Sequence, residues 1–160
     1  MNYGWQPAPL NTIDAPFQKW LTASGNLTAL LQCVGKHQFQ LIQQTNESIP
    51  HEERDLLLKA SIHGHVRQII HSIDNSPAVC ARTVISDALY QQHKNDFDNL
   101  GTKPIGQTLL YNKKNISRSP FEFGLIKHDC FLMSSFPKVE AILQYPARRS
   151  IFTIAQKTLC

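Results

Sequence analysis

Apolar and polar positions are patterned most clearly over residues 65–86, HVRQIIHSIDNSPAVCARTVIS. Two apolar-rich runs, 66–73 and 78–85, flank Asp74-Asn75-Ser76-Pro77. Asp, Asn, Ser and Pro form turns through local side-chain hydrogen bonds or a fixed φ, so the pattern predicts a β-hairpin. Upstream, Leu27, Leu30, Leu31 and Val34 fall on one face of a short helix. Ser24, Gly25 and Asn26 precede it as cap candidates, and Gly35 is expected to end it in the left-handed conformation. Residues 38–43 alternate partially (Phe39, Leu41), as in a strand with one wet face. Pro50, Glu52 and Glu53 suit the start of a helical piece, to which Leu56, Leu57 and Leu58 add apolar contact.

Beyond the hairpin, residues 87–100 are polar with sparse apolar positions (Ala88, Leu89, Phe97, Leu100), which predicts an exposed helix or helix plus loop. In Leu100-Gly101-Thr102-Lys103-Pro104-Ile105-Gly106, Gly101 can end one helix. Pro104 can open another, with Leu109 and Leu110 on its apolar side. Residues 118–125 read as a strand beginning near Pro120, residues 126–147 lack a clear period, and 148–154 read as a final strand. Residues 1–16, with Pro7, Pro9 and Pro16, read as a lead-in that packs on the surface. Helices and strands do not alternate regularly, which predicts an α+β fold with an antiparallel sheet rather than a doubly wound parallel one.

A length of 160 residues fits a single domain over 1–160 with a real core. At 42% hydrophobic and 18% charged, the composition is that of a globular chain. The net charge of +4 is mild, and Lys113-Lys114 and Arg148-Arg149 are the only basic pairs, so no nucleic-acid partner is expected. The N-terminal MNYGWQPAPL lacks the apolar core of a secretory signal, and no apolar run approaches the roughly 20 residues that span a bilayer. Cys33, Cys80, Cys130 and Cys160 are far apart and form no CxxC. These features predict a cytoplasmic protein with no membrane span and with free thiols as the simplest reading, disulfides being the lesser option. A monomer is expected.

Each run of the hairpin carries one arginine, Arg67 and Arg82, near the ends remote from the turn. Those ends lie side by side in a hairpin, so the two guanidiniums are expected close together. An arginine within an apolar strand must find an anion or bear a desolvation cost of several kcal/mol. The hairpin therefore reads as one wall of a pocket for a small anionic molecule. His63, His65 and His71 share strand parity with Arg67, which raises a metal hypothesis. Gly64 is expected to interrupt the strand, leaving solvated or hydrogen-bonded histidines as the default.

Taken together, these motifs resemble one family, chorismate lyase, which removes pyruvate from chorismate to give 4-hydroxybenzoate. WLTASGNLTALLQCVGK resembles the family's opening Trp-Leu followed by Leu-Thr at a helix start. Arg67 falls where the family has its strand arginine, and Arg82-Thr83-Val84 follows as the family's Arg-Thr-Val does. LGTKPIGQTLL resembles its Leu-Gly-x-x-Pro-Leu-Gly-x-x-Leu, and RSPFEFG and ARRSIF its Arg-x-x-x-Glu-x-Gly and Arg-Arg-Ser segments. The likeness covers about residues 17–125 and 147–160, with 126–146 an extra segment between.

The resemblance implies an antiparallel sheet with flanking helices enclosing a ligand site, and an enzyme that needs no cofactor and no metal. Arg67 would be the catalytic arginine and, with Leu27 and Ile105, would bind the substrate chorismate and the product 4-hydroxybenzoate. Leu27 stands where the family has methionine or leucine, and Ile105 where it has leucine; both sit at predicted helix starts, whose free N–H groups favour an anion. Arg82 is expected to be structural. The implied pathway is ubiquinone biosynthesis. The family's last strand runs on past the position of Cys160 to a glutamate facing the oxygen of the bond being broken, and this chain stops a few residues short. Glu140 and Glu122 are the candidate substitutes. A non-catalytic aromatic-acid-binding module of the same fold, or an inactive family member, is the alternative reading.

Overall fold

The computed structural model describes residues 4–57, 62–110, 115–127 and 144–154. They form an α+β fold in which every strand pairing is antiparallel. The chain gathers into two compact units, one of Thr28–Leu109 and the other of the segments before and after it.

The first unit is built on a sheet of order β1-β2-β3, with β1 His37–Ser48, β2 His63–Ile73 and β3 Ser76–Ser86. The expected hairpin is present, but its turn is tighter than the sequence predicts. Ile73 pairs with Ser76, leaving only Asp74 and Asn75 to turn, at φ 49° and 66°. Asp and Asn tolerate this left-handed region because short polar side chains can bond locally. Asp74 also accepts from the Lys36 N–H at 2.9 Å, and Gln38 Nε2 donates to Asn75 Oδ1 at 3.0 Å, which ties the turn to the start of β1. Gly35 does not act through a left-handed φ, as expected of a helix-ending glycine. A Cβ there would lie 2.6 Å from both the Asp74 carboxylate and Ile73 Cγ2, so the glycine makes room for the turn.

β2 is the central strand and is buried continuously from Val66 to His71. Val66, Ile69 and Ile70 are core, and so are the polar Arg67, Gln68 and His71. Gly64 does not interrupt the strand; it pairs with Glu47 and Ser86, and its missing side chain leaves space for Ile49 and Val84.

Two bulges set the faces of this sheet. On β3, His71 pairs with Val79 but Ser72 with Pro77, leaving Ala78 as the extra residue. On β1 the pairing slips between Leu41 and Gln43. Without the β3 bulge, Arg67 would stand directly opposite Arg82 on one face. With it, Arg67 pairs with Thr83 and Arg82 with Gln68. Because successive side chains alternate faces, a one-residue shift turns the two arginines to opposite sides of the sheet. The expectation that they sit together is thereby corrected.

Short helices complete this unit. α2, Leu27–Gln32, buries Thr28 and Leu31, whereas Leu30 and Val34 of the predicted apolar face are exposed. α3, His51–Leu56, starts after Pro50 with Glu52 and Glu53 in its first turn, as predicted. α4, Asp87–Gln92, is capped by Ser86 Oγ accepting from the Leu89 N–H, and packs on β2 and β3. α5, Lys94–Asp98, buries Phe97, and Leu100 just beyond it is 1% exposed. Gly101 has a φ of 53°, in keeping with a helix-ending role. The helix expected after Pro104 is a five-residue π-helical segment, Gly106–Leu110.

The second unit holds two two-stranded sheets. β4, Ile116–Arg118, pairs with β7, Phe152–Ile154, and β5, Glu122–Lys127, pairs with β6, Gln144–Arg149. The expected strands 118–125 and 148–154 are thus each broken, at 119–121 and 150–151, where Ser119 and Ile151 bond each other through the Ser119 N–H and Oγ. The lead-in is not merely surface packing: Gln6 forms a two-bond bridge with Phe123, and Ile13 is buried. An unpredicted helix, α1 Ala15–Thr22, carries Pro16 in its first turn. Arg148 donates to the carbonyls of Leu21 and Ala23 at its end, placing a cation where the helix dipole is negative. Arg149 bonds Glu122 across the β5–β6 pair at 2.7 Å, and Arg118 and Arg148 both stack on the Phe121 ring. The RSPFEFG and ARRS motifs are thereby joined into one cross-strand cluster.

No helix among the described residues is long and apolar enough to cross a membrane. Cys33 and Cys80 form no disulfide among the described residues; Cys130 and Cys160 lie outside them.

Candidate anion site at Arg67

Arg67 is 3% exposed in the middle of the central strand. Its Nη1 donates to Gln44 Oε1, the side chain directly opposite on β1. Its Nη2 donates to the main-chain carbonyls of Gly101 at 2.8 Å and Lys103 at 3.0 Å. All of these acceptors are neutral oxygens. Among the described residues no carboxylate pairs with Arg67, and its Nε is buried with no partner at all. Burial pushes its pKa below the usual arginine value, with no neighbouring negative charge to offset it. A guanidinium in this state keeps its charge but has lost most of its hydration, so an anion brought to it recovers energy that water no longer supplies.

Arg82, on the other face, has the opposite surroundings. Its Nε and Nη2 grip Glu53 in a two-bond fork at 2.8 and 3.1 Å, and its Nη1 bonds Glu47 at 2.9 Å. Burial works against its charge, yet the bonds and charges of Glu53 and Glu47 outweigh this and raise its pKa. Arg82 is a structural ion-pair centre, as expected.

Arg67 and the Leu100–Gly106 motif are joined directly, since that loop supplies two of the carbonyls that hold the guanidinium. Ile105 is half-buried two residues after Lys103, in the turn where Thr108 bonds back to the Pro104 carbonyl. Leu27 opens α2 and is half-buried; none of the hydrogen bonds of Arg67 goes to it. Both helical segments are short, so their aligned peptide dipoles are small, and the first-turn N–H groups are what each can offer a ligand.

Of the candidate acids, Glu122 is engaged by Arg149, and Glu140 lies outside the described residues. The histidines find protein partners. His71 Nδ1 is 2.8 Å from His37 Nε2 and packs against the edge of Phe39. Burial, then the charge of His37, lowers the His71 pKa to about 4. His65 lies under the Tyr90 ring and 3.4 Å from Asp87. No group of three or more His, Cys, Asp or Glu among the described residues is placed to hold a metal.

Sequence reasoning located Arg67 but not what holds it. Gln44 is one of several polar residues in QLIQQTNES, and only the strand register singles it out. The two carbonyls carry no side-chain signal.

The fold is antiparallel α+β, and its central strand holds a buried arginine with no carboxylate partner among the described residues. A family model described as chorismate lyase matches residues 1–160, and the chain belongs to the chorismate lyase family. It is similar to a probable chorismate pyruvate-lyase 1 of Pseudomonas fluorescens, 27% identical over 154 residues, which cover 93% of this chain and 81% of the relative. It is also similar to a probable chorismate pyruvate-lyase of Pseudoalteromonas atlantica, 30% identical over 92% of this chain and 77% of that protein. A probable chorismate pyruvate-lyase 1 of Burkholderia pseudomallei is 27% identical over 98% of this chain and 85% of its own length.

Proposed function

We propose that this protein is a chorismate pyruvate-lyase, converting chorismate to 4-hydroxybenzoate and pyruvate in the cytoplasm, as a monomer, for ubiquinone biosynthesis. The observation that carries the reading is the buried guanidinium of Arg67, held by neutral oxygens and paired with no carboxylate among the described residues. In the reaction the enolpyruvyl ether leaves the ring and one ring proton is lost, so aromaticity drives the step. The protein's share is to grip the substrate in one reactive pose and keep water away.

Arg67 would bind a substrate carboxylate through charge-assisted hydrogen bonds from the N–H groups not already engaged. Ile105, next to the loop that holds Arg67, would add a main-chain N–H and apolar cover over the ring. Leu27 would do the same from the start of α2; its place in the site rests on the family resemblance alone.

The test is direct. Purified protein given chorismate should release pyruvate and 4-hydroxybenzoate in equal amounts, read by a coupled lactate dehydrogenase assay and by chromatography. A folded protein that releases neither refutes the lyase reading. One observation favours the second reading, a binding module without turnover: Glu122 is held by Arg149. Thermal stabilisation by 4-hydroxybenzoate without pyruvate release would establish that reading instead.

A further inference from the structure

We infer that Gln44 is the positioning residue that keeps Arg67 oriented without pairing off its charge, and that it thereby sets the preference of the site for an anionic over a neutral aromatic ligand. The inference rests on the reading of Arg67 as the carboxylate-binding group.

Gln44 stands directly opposite Arg67 on the edge strand β1. Its amide oxygen accepts from Arg67 Nη1, while its Nε2 donates to the Phe97 carbonyl of α5 at 3.3 Å. The amide thus fixes one side of the guanidinium, and the Gly101 and Lys103 carbonyls fix the other. The choice of amide over acid at this position is chemically decisive. A glutamate of nearly the same shape would present a carboxylate to the same nitrogen and form the ion pair that Arg82 already makes with Glu47 and Glu53. An arginine paired in that way has its charge spent inside the protein. Gln44 supplies the geometry of such a partner without its charge.

Gln44 is exposed although the arginine beneath it is buried, so substitution there asks little of the core. The experiment measures binding of 4-hydroxybenzoate and its neutral isostere 4-hydroxybenzamide by titration calorimetry on the full chain, in wild type, Gln44→Glu and Gln44→Leu. Wild type should prefer the acid. Gln44→Glu should lower acid affinity about tenfold or more and leave amide affinity within about twofold, because the introduced carboxylate competes only with an anion. Gln44→Leu, which removes the acceptor without adding charge, should lower acid affinity severalfold and shift the acid-to-amide ratio less. A residue with a purely structural role would weaken both ligands alike. An acid-to-amide ratio unchanged in either folded variant overturns the inference. Wild type that binds neither compound overturns the functional reading itself and the inference with it.

Discussion

The two faces of the β1-β2-β3 sheet treat the same side chain in opposite ways. On one, Arg82 is enclosed by two carboxylates and its charge is balanced within the protein. On the other, Arg67 is buried and, among the described residues, meets only amide and carbonyl oxygens, and the neighbouring His71 meets a second imidazole. The first face places its cation in ion pairs; the second carries a cation that no carboxylate balances among the described residues. Both arginines sit within strands with little side-chain exposure, so the chemistry of the neighbours is what distinguishes them.

The largest expected effect separates these roles. Arg67→Ala should weaken 4-hydroxybenzoate binding by about 3–4 kcal/mol and remove pyruvate release, with little change in the urea midpoint, because the lost charge was uncompensated. Loss of stability with unchanged binding would reverse the assignment of the two arginines. Arg82→Ala should do the converse. Leaving Glu47 and Glu53 together without their cation should cost about 2–3 kcal/mol of stability, read by urea unfolding, while ligand affinity per folded molecule is held.

The third effect is smaller and depends on pH. His71 faces His37 and Phe39, and its folded pKa of about 4 lies below the ordinary 6.5. The unfolded chain therefore binds the proton first. The stability that neutral His71 carries is complete above about pH 6.5 and is lost as pH falls toward 4. Between pH 7.5 and 5 the loss should be about 2 kcal/mol, and His71→Leu should flatten that slope. A slope unchanged in the variant would show that other groups carry it.

How much of this was legible in the sequence follows from which interactions are local. The hairpin, the α3 start after Pro50 and the helix-ending Gly101 depend on neighbouring residues, and their patterns identified them. The side to which each arginine points depends on a single unpaired residue, Ala78. Nothing in Ser76-Pro77-Ala78-Val79 marks where a bulge falls, so alternation alone put both arginines on one face. α1 was missed because it is only eight residues long and three prolines precede or enter it. Arg67 was legible as an ion in need of a partner. Gln44, Gly101 and Lys103 were not legible as its holders, because those contacts span 23 to 36 positions of chain.

Among the described residues, two of the three groups that hold Arg67 belong to the polypeptide backbone. Mutation can exchange the side chains of Thr102 and Lys103 without removing either oxygen, provided the loop keeps its course. The constraint on this stretch falls on Gly101, which adopts the left-handed φ, and on Pro104, which limits how the chain leaves. Natural variation should therefore be wide at the two middle positions and narrow at the flanking ones, and a library randomised at 102 and 103 should retain ligand binding in most members.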